Sequence, residues 1–329
     1  MKRKIIFDTD PGVDDAQAIQ LILAVTELDL LGLTTIFGNA DLDLATTNAL
    51  RLLDLGGRAD VPVAKGATNP LNGPYLGAVA FVHGDDGQGN TFRPASTLQP
   101  IDLSAAEFIV QQLNSQPGEI TLVAVGPLTN LALALQLDPG IVDKVVEVVV
   151  MGGNAFCAGN ATPAGEANIL NDPDAADLVF GANWPVTMIG LDVTHNVNLT
   201  GKDIDQLATL PGPLNEFVAA AVPFYRAFYE QRNGIDGIYV HDSTVVVYLL
   251  APDLFTFGHY PMRVDTSDGI GCGKTWPSLT EPDAEDNPAL RPWLNRPRVK
   301  VGIGVDGEKV VEVIVSALTA SADRQRNRE

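Results

Sequence analysis

Short β-branched runs alternate with longer segments of helical periodicity along most of this 329-residue chain, and that alternation limits the possible folds most. Residues 4–8 form an apolar run that ends in polar residues, the pattern of a buried strand. Residues 14–28 carry apolar side chains at helical spacing, with acids in the first turn. A strand is expected over 31–37 and a helix over 42–55, closed by Gly56 and Gly57. Further strands are expected over 120–125, 145–151 and 186–193, and helices over 127–137, opening on proline, and 173–180. Residues 213–232 and 243–250 read as helices, 263–265 and 299–305 as late strands, and 310–318 as a final helix. Strands separated by helices need crossover connections. The expected fold class is therefore α/β: a doubly wound, mostly parallel central sheet flanked by helices, with a Rossmann-like core.

Polar residues gather just past those strands. They stand at 8–15, at Gly38-Asn39, at 126–130, at 152–154 and at 192–195. In an open α/β sheet, ligands bind beyond the carboxyl ends of the strands. Five segments distant in sequence are thus expected to face one crevice.

Apolar residues make up 46% of the chain and are spread along its length, which suits a single domain over 1–329. Two stretches lack a clear pattern: 66–100, rich in Gly and Pro, and 271–297, a possible insertion. Mobile loops are expected near 66–100 and 223–241. No uninterrupted apolar run approaches ~18 residues, so no membrane partner is expected. Only Ile5, Ile6 and Phe7 separate Lys4 from Asp8, too few for the apolar part of a signal peptide, and a cytoplasmic address follows as the expectation. Cys157 and Cys272 form no CxxC and are expected to be unpaired thiols in a reducing compartment. A net charge of −20 argues against a nucleic-acid partner and suits neutral substrates and bound cations.

The segment Asp8-Thr9-Asp10-Pro11-Gly12-Val13-Asp14-Asp15 carries the chemistry. Its four carboxylates, at a strand-to-helix turn, would repel one another without a cation. A helix start explains Asp14 and Asp15, but not Asp8 and Asp10 as well. Oxygen ligands with no His or Cys among them suit a hard ion, Ca²⁺ or Mg²⁺, rather than zinc.

This segment resembles the signature aspartate motif of the inosine–uridine-type nucleoside hydrolases. The resemblance continues in order through Gly38-Asn39, Val82-His83-Gly84, Gly126-Pro127-Leu128-Thr129-Asn130, Met151-Gly152-Gly153, Gly159-Asn160, Glu166-Ala167-Asn168, Asp172-Pro173, Leu191-Asp192-Val193-Thr194 and His241-Asp242. It implies the nucleoside hydrolase fold and cleavage of the N-glycosidic bond of nucleosides to free base and ribose. It further implies a small-molecule nucleoside substrate and assembly as a homodimer or homotetramer. By the same resemblance Asp10, Asp15, Asp242 and the carbonyl of Val125 hold Ca²⁺, and Asp10 takes a proton from a water on the ion. Asp14 and Asn39 are expected at the ribose 2′-hydroxyl, and Asn160, Glu166 and Asn168 at the 5′-hydroxyl and its neighbours, with Met151 also against the substrate. Asp242 also reaches toward the 3′-hydroxyl, and Asp8 orients the others.

His241, beside Asp242, is the candidate acid for the leaving base, because imidazole has a suitable unperturbed pKa. His83 is the second candidate for contact with the base. Tyr225 and Tyr229 lie four apart on one helix face and, with Phe81, are expected to cover the base. Val125, Ala167 and the 271–297 segment depart from the family pattern, and Ala167 in place of a Phe suggests a wider pocket at the 5′ end.

Two alternatives belong to other classes, and a third keeps the chemistry but changes the substrate. The Ile5-Ile6-Phe7-Asp8-Thr9-Asp10 start superficially fits a haloacid-dehalogenase-like phosphatase, but no lysine downstream has the expected context. A non-catalytic nucleoside-binding protein on the same fold would be expected to have lost acids of the cation set. The same chemistry on another N-ribosyl compound stays open, as does the choice between purine and pyrimidine bases.

Overall fold

The computed structural model describes residues 2–281 and 287–327. Its strands are β1 (Arg3–Thr9), β2 (Leu28–Thr35), β3 (Val63–Lys65), β4 (Ile101–Ser104), β5 (Ile120–Ala124), β6 (Val145–Met151), β7 (Val186–Ile189), β8 (Asn198–Thr200), β9 (Gly237–Tyr239), β10 (Phe255–Val264), β11 (Thr275–Pro277) and β12 (Arg298–Val305). Ten of them form one sheet, ordered β11-β10-β12-β7-β6-β5-β1-β2-β3-β4, while β8 and β9 pair by themselves. Pairing is parallel from β12 to β4, and only β10 runs against its neighbours. The sheet is doubly wound, as the alternation of elements implies.

Side chains leave a strand on alternate faces, and here both faces are buried. Ile5 and Phe7 of β1 and Val149 of β6 join one apolar cluster, with the helices Val13–Ala24, Pro213–Asn233, His241–Leu250 and Gly307–Arg326. Ile6, Val148 and Val150 face the other, under the helices Ala105–Ser115, Thr129–Leu137 and Pro173–Gly181. The β-branched run Val148–Val150 of β6 fits this environment, since its side chains are buried on both faces.

Several boundaries differ from expectation. The first helix stops at Ala24, because Leu28 already pairs with Arg3. The strand begun at Val186 ends at Ile189, and Leu191–Thr194 turns into a short helix. The loop expected near 223–241 is a helix as far as Asn233, where Gly234 closes it in the left-handed conformation. Pro223 lies inside that helix, and β9 occupies 237–239. The 66–100 stretch is irregular apart from the turn Ala80–His83, and 271–297 contains β11 and the short 3₁₀ helix Pro288–Trp293. Part of that last segment, 282–286, lies outside the described residues. Both cysteines are unpaired, and no helix among the described residues is long and apolar enough to cross a membrane.

Candidate active site

β1 ends at Thr9, and the chain turns through Asp10-Pro11-Gly12 into the helix Val13–Ala24. Asp8, Asp10, Asp14 and Asp15 are thereby buried together. Asp15 caps its own helix: its Oδ2 accepts the Gly12 N–H at 2.9 Å, its Oδ1 the Thr9 hydroxyl at 2.5 Å. Asn39 adds its Nδ2 at 3.0 Å and donates its backbone N–H to Asp10 Oδ2 at 2.6 Å. A Cβ on Gly38 would collide with the Asp10 carboxylate, so the loop after β2 closes over Asp10 only because residue 38 is glycine. Asp8 Oδ2 accepts Thr34 Oγ1 at 2.5 Å and Asn130 Nδ2 at 2.8 Å. From the other side, the helix His241–Leu250 opens with Asp242 in its first turn, and ligand oxygens of Asp14, Asp15 and Asp242 come within 4.8 Å of one another.

Burial pushes the Asp8 carboxyl up to about 7, against the pull of its bonds from Thr34 and Asn130. Burial, and then the charge of Asp15, lifts Asp10 well above the ordinary carboxylate range. Burial likewise raises Asp14 and Asp15, and Asp242 rises by burial and by the charges of Asp14, Asp15 and Asp10. The Oδ1 atoms of Asp8, Asp10 and Asp14 are buried with no hydrogen-bond partner. Unpaired buried carboxylates are costly, and a divalent cation answers both the repulsion and the orphaned oxygens. The donors are oxygens throughout, which suits a hard ion. The residues present therefore fit a metal ion. Asp14, expected only at the ribose, belongs to the closest trio, while Asp10 borders it with its free Oδ1.

The Val125 carbonyl accepts Asn168 Nδ2 at 2.8 Å, and a carbonyl oxygen keeps a second lone pair. Asn168 Nδ2 also donates to the Met151 carbonyl at 3.1 Å, which leaves its Oδ1 for a ligand. Glu166 caps the helix Ala167–Asn171, its oxygens accepting the N–H groups of Gly153, Asn168 and Ile169 at 2.9, 3.0 and 3.1 Å. Asn160 Oδ1 accepts the Ala167 N–H at 3.0 Å.

A line of hydrogen bonds leaves this cluster. Tyr225 donates to Asp14 Oδ2 at 3.1 Å, and its hydroxyl meets that of Tyr229 at 3.2 Å. Tyr229 meets His241 Nε2 at 3.0 Å, and His241 Nδ1 meets Thr194 Oγ1 at 2.8 Å. An ionised Asp14 only accepts, so Tyr225 accepts from Tyr229 and Tyr229 accepts from His241. The order makes His241 the Nε2–H tautomer, with Thr194 donating to Nδ1. Burial drops His241 to about 3, so the imidazole is neutral. His83 is also neutral, dropped by burial to about 4, and its Nδ1 accepts the Val13 N–H at 3.2 Å, which leaves an Nε2–H. Its ring stacks on Tyr225 at 5.2 Å.

These groups line a cavity of about 580 Å³ beyond the carboxyl ends of the strands. Asp14, Asn39, His83, Val125, Met151, Asn160, Glu166, Asn168, Tyr225, Tyr229, His241 and Asp242 all reach it, while Asp10 and Asp15 lie beneath. Phe81 stands exposed at the rim, 6.1 Å from the ring of Phe228. Phe228, Arg232 and Asn233, for which the sequence suggests no role, also line the cavity, as does His195, expected from the sequence to be a supporting residue. Phe228 shares a helix face with Tyr225, a spacing visible in sequence. Thr194 sat in a quoted block, but only folding reveals its pairing with His241.

Fold and site thus define an α/β protein with a buried cluster of carboxylates, fit to hold a cation, under a cavity of about 580 Å³. The family model described as inosine-uridine preferring nucleoside hydrolase matches residues 5–312, and the chain belongs to that family. It is a nucleoside N-ribosylhydrolase of the family. A protein of Arabidopsis thaliana described as a probable uridine nucleosidase 2 is 44% identical over 97% of this chain and 98% of its own length. An inosine-uridine preferring nucleoside hydrolase of Leishmania major is 37% identical over 99% of this chain and 100% of its own. A solved plant nucleoside hydrolase superposes with a TM-score of 0.93 at 41% identity, covering 97% of this chain and 100% of that one.

Proposed function

We propose that this chain hydrolyses ribonucleosides in nucleoside salvage with Ca²⁺ as its resident ion, taking uridine by preference and inosine as well. The single observation that carries the reading is the convergence of Asp14, Asp15 and Asp242, with the free Oδ1 of Asp10, at the floor of one cavity. The base preference rests on relatives described as uridine nucleosidases and on a cavity lined by Tyr225, Tyr229 and Phe228 but by none of the three tryptophans. The surroundings we infer are the cytoplasm and a homodimer or homotetramer.

When bound through Asp10, Asp15, Asp242 and the Val125 carbonyl, the ion supplies a water acidified toward neutrality. Asp10, whose Oδ1 has no other partner, would accept the proton of the attacking water, whose oxygen would replace the base at C1′. Asp14 and Asn39 hold the 2′-hydroxyl, and Asp242 the 3′-hydroxyl. Asn160, Glu166 and Asn168 hold the 5′ side, with Met151 against the sugar. These acceptors, with the carboxylates around them, stabilise the oxocarbenium character of the ribose. His241 is neutral, so it acts as a hydrogen-bond donor rather than as an imidazolium, and it serves the departing base by turning its Nε2–H from Tyr229 to the leaving nitrogen, while the Nε2–H of His83 is the second donor. The proton that Asp10 removes from water balances the one the base takes up.

The test is release of free ribose from uridine, inosine, cytidine and adenosine in ¹⁸O-labelled water. The reading expects label at C1 of ribose and none in the base, with loss of activity on chelation and recovery with Ca²⁺. No ribose from any of the four would refute nucleoside hydrolysis. Activity that survives exhaustive chelation would refute the ion.

A further inference from the structure

The stretch after β10 looks like an insertion in sequence and has no part in the chemistry of ribose cleavage. It is a tight hairpin arm: Asp265 N–H bonds to the Lys274 carbonyl at 2.9 Å, Gly273 N–H to the Asp265 carbonyl at 2.9 Å, and β11 pairs back on β10. The arm lies across the loop 154–166, which carries Asn160 and Glu166 to the cavity. Lys274 Nζ donates to the carbonyls of Asn154 at 2.5 Å and Cys157 at 2.9 Å. Thr275 Oγ1 accepts the Asn154 N–H at 2.9 Å. The backbones touch so closely that glycine is needed on both sides. A Cβ on Gly165 would lie 2.8 Å from the Cys272 carbonyl oxygen, and one on Gly273 2.9 Å from Leu170 Cα.

Lys274 is buried, although a buried ammonium is costly unless acceptors surround it. The acceptors here are carbonyls of the substrate-facing loop, not a carboxylate. Asp192 and Asn154 fix other points of the same loop: Asp192 accepts the N–H groups of Ala155 and Phe156, each at 2.7 Å, and Asn154 Nδ2 donates to the carbonyls of Cys157 and Ala164. These ties hold the loop's fold without Lys274. The ammonium holds the two carbonyls that set where the loop departs toward Asn160.

We propose that Lys274 is a positioning residue for recognition of the substrate's 5′-hydroxyl, its ammonium fixing the loop 154–166 so that Asn160 meets that hydroxyl. The proposal rests on the reading of the cavity as a ribonucleoside site with Asn160 at its 5′ end. Misplacement of a binding group by about 1 Å costs up to ~10²-fold in rate.

The experiment compares uridine with 5′-deoxyuridine for the wild type, Lys274→Met and Lys274→Arg. Lys274→Met is expected to lower kcat/KM for uridine by about 10- to 100-fold and for 5′-deoxyuridine by less than about 3-fold. Lys274→Arg, which keeps the charge and donors, recovers part of the loss. In an Asn160→Ala background, Lys274→Met produces no further discrimination between the two substrates. An equal loss on both substrates, in a wild type that prefers uridine, overturns the proposal alone. A wild type that cleaves both alike overturns the 5′ assignment with it, and one that releases no ribose overturns the functional reading first. Should Lys274→Met fail to fold, Thr275→Val removes the adjoining Asn154 tie and must show the same selective loss.

Discussion

The buried acids make a prediction about stability that needs no substrate. Without an ion, Asp10, Asp14, Asp15 and Asp242 sit together with their carboxyl pKa values raised by burial and by one another. A group whose folded pKa is raised contributes stability below its unfolded value, near 3.8, and loses that contribution as pH rises through the folded value. Ion-free protein therefore loses stability at this site between mildly acid and neutral pH, where the carboxyls are forced to ionise unpaired. Ca²⁺ binds the ionised forms, so its stabilising effect grows over the same interval. At a hundredfold excess over Kd the gain is about 2.7 kcal/mol. For 329 residues the unfolding entropy is about 0.7 kcal/mol per kelvin, which makes the gain about 4 °C in Tm. The assay is thermal unfolding at pH 5 and pH 8, with chelator or with Ca²⁺. The gain should be near 4 °C at pH 8, much smaller at pH 5, and absent at both in Asp15→Asn. A gain of equal size at both pH values, or one that survives Asp15→Asn, would refute the reasoning.

Two further outcomes follow from individual bonds. Tyr229→Phe keeps the ring but removes the hydroxyl between Tyr225 and His241, leaving the buried His241 Nε2–H unpaired at a cost of about 1–3 kcal/mol. Uridine hydrolysis should fall roughly 5- to 100-fold, chiefly in kcat, with near-unchanged Ca²⁺ binding by calorimetry. Asp8→Asn removes a carboxyl that titrates near 7 while keeping an oxygen for Thr34 and Asn130. Since the raised carboxyl loses its contribution as pH passes 7, the variant's Tm should decline less than the wild type's between pH 6 and 8.5 in chelator, and parallel curves would contradict the role given to Asp8.

The parallel core was legible because both faces of its strands are largely buried, which writes them as β-branched runs such as Val148–Val150, interrupted only by an occasional polar residue such as Glu147. The edges were not. β3 and β4 are three and four residues long, and the arm of β10 and β11 folds among Gly, Pro and acids with little periodicity. Likewise Asp8 to Asp15 could be read as one cluster because a single turn joins strand to helix. Asp242 took its place from the family resemblance, since nothing local ties residue 242 to residue 14. Thr194 and Lys274 stayed hidden for a related reason. One acts through His241 and the other through carbonyl groups, and backbone acceptors leave no trace in sequence. The helix expected over 213–232 runs to Asn233, anchored to the cavity by the buried Tyr225 and Tyr229, and takes up much of the segment also expected as a loop near 223–241.

The most direct test of the central claim is ribose release from uridine by Asp10→Asn beside the wild type, both saturated with Ca²⁺. The substitution keeps an acceptor for the Asn39 N–H and abolishes the free carboxylate oxygen that takes the water's proton. A folded variant whose kcat is lower by about 10²–10⁴-fold is the predicted result. A folded variant that releases ribose at the wild-type rate would contradict the account.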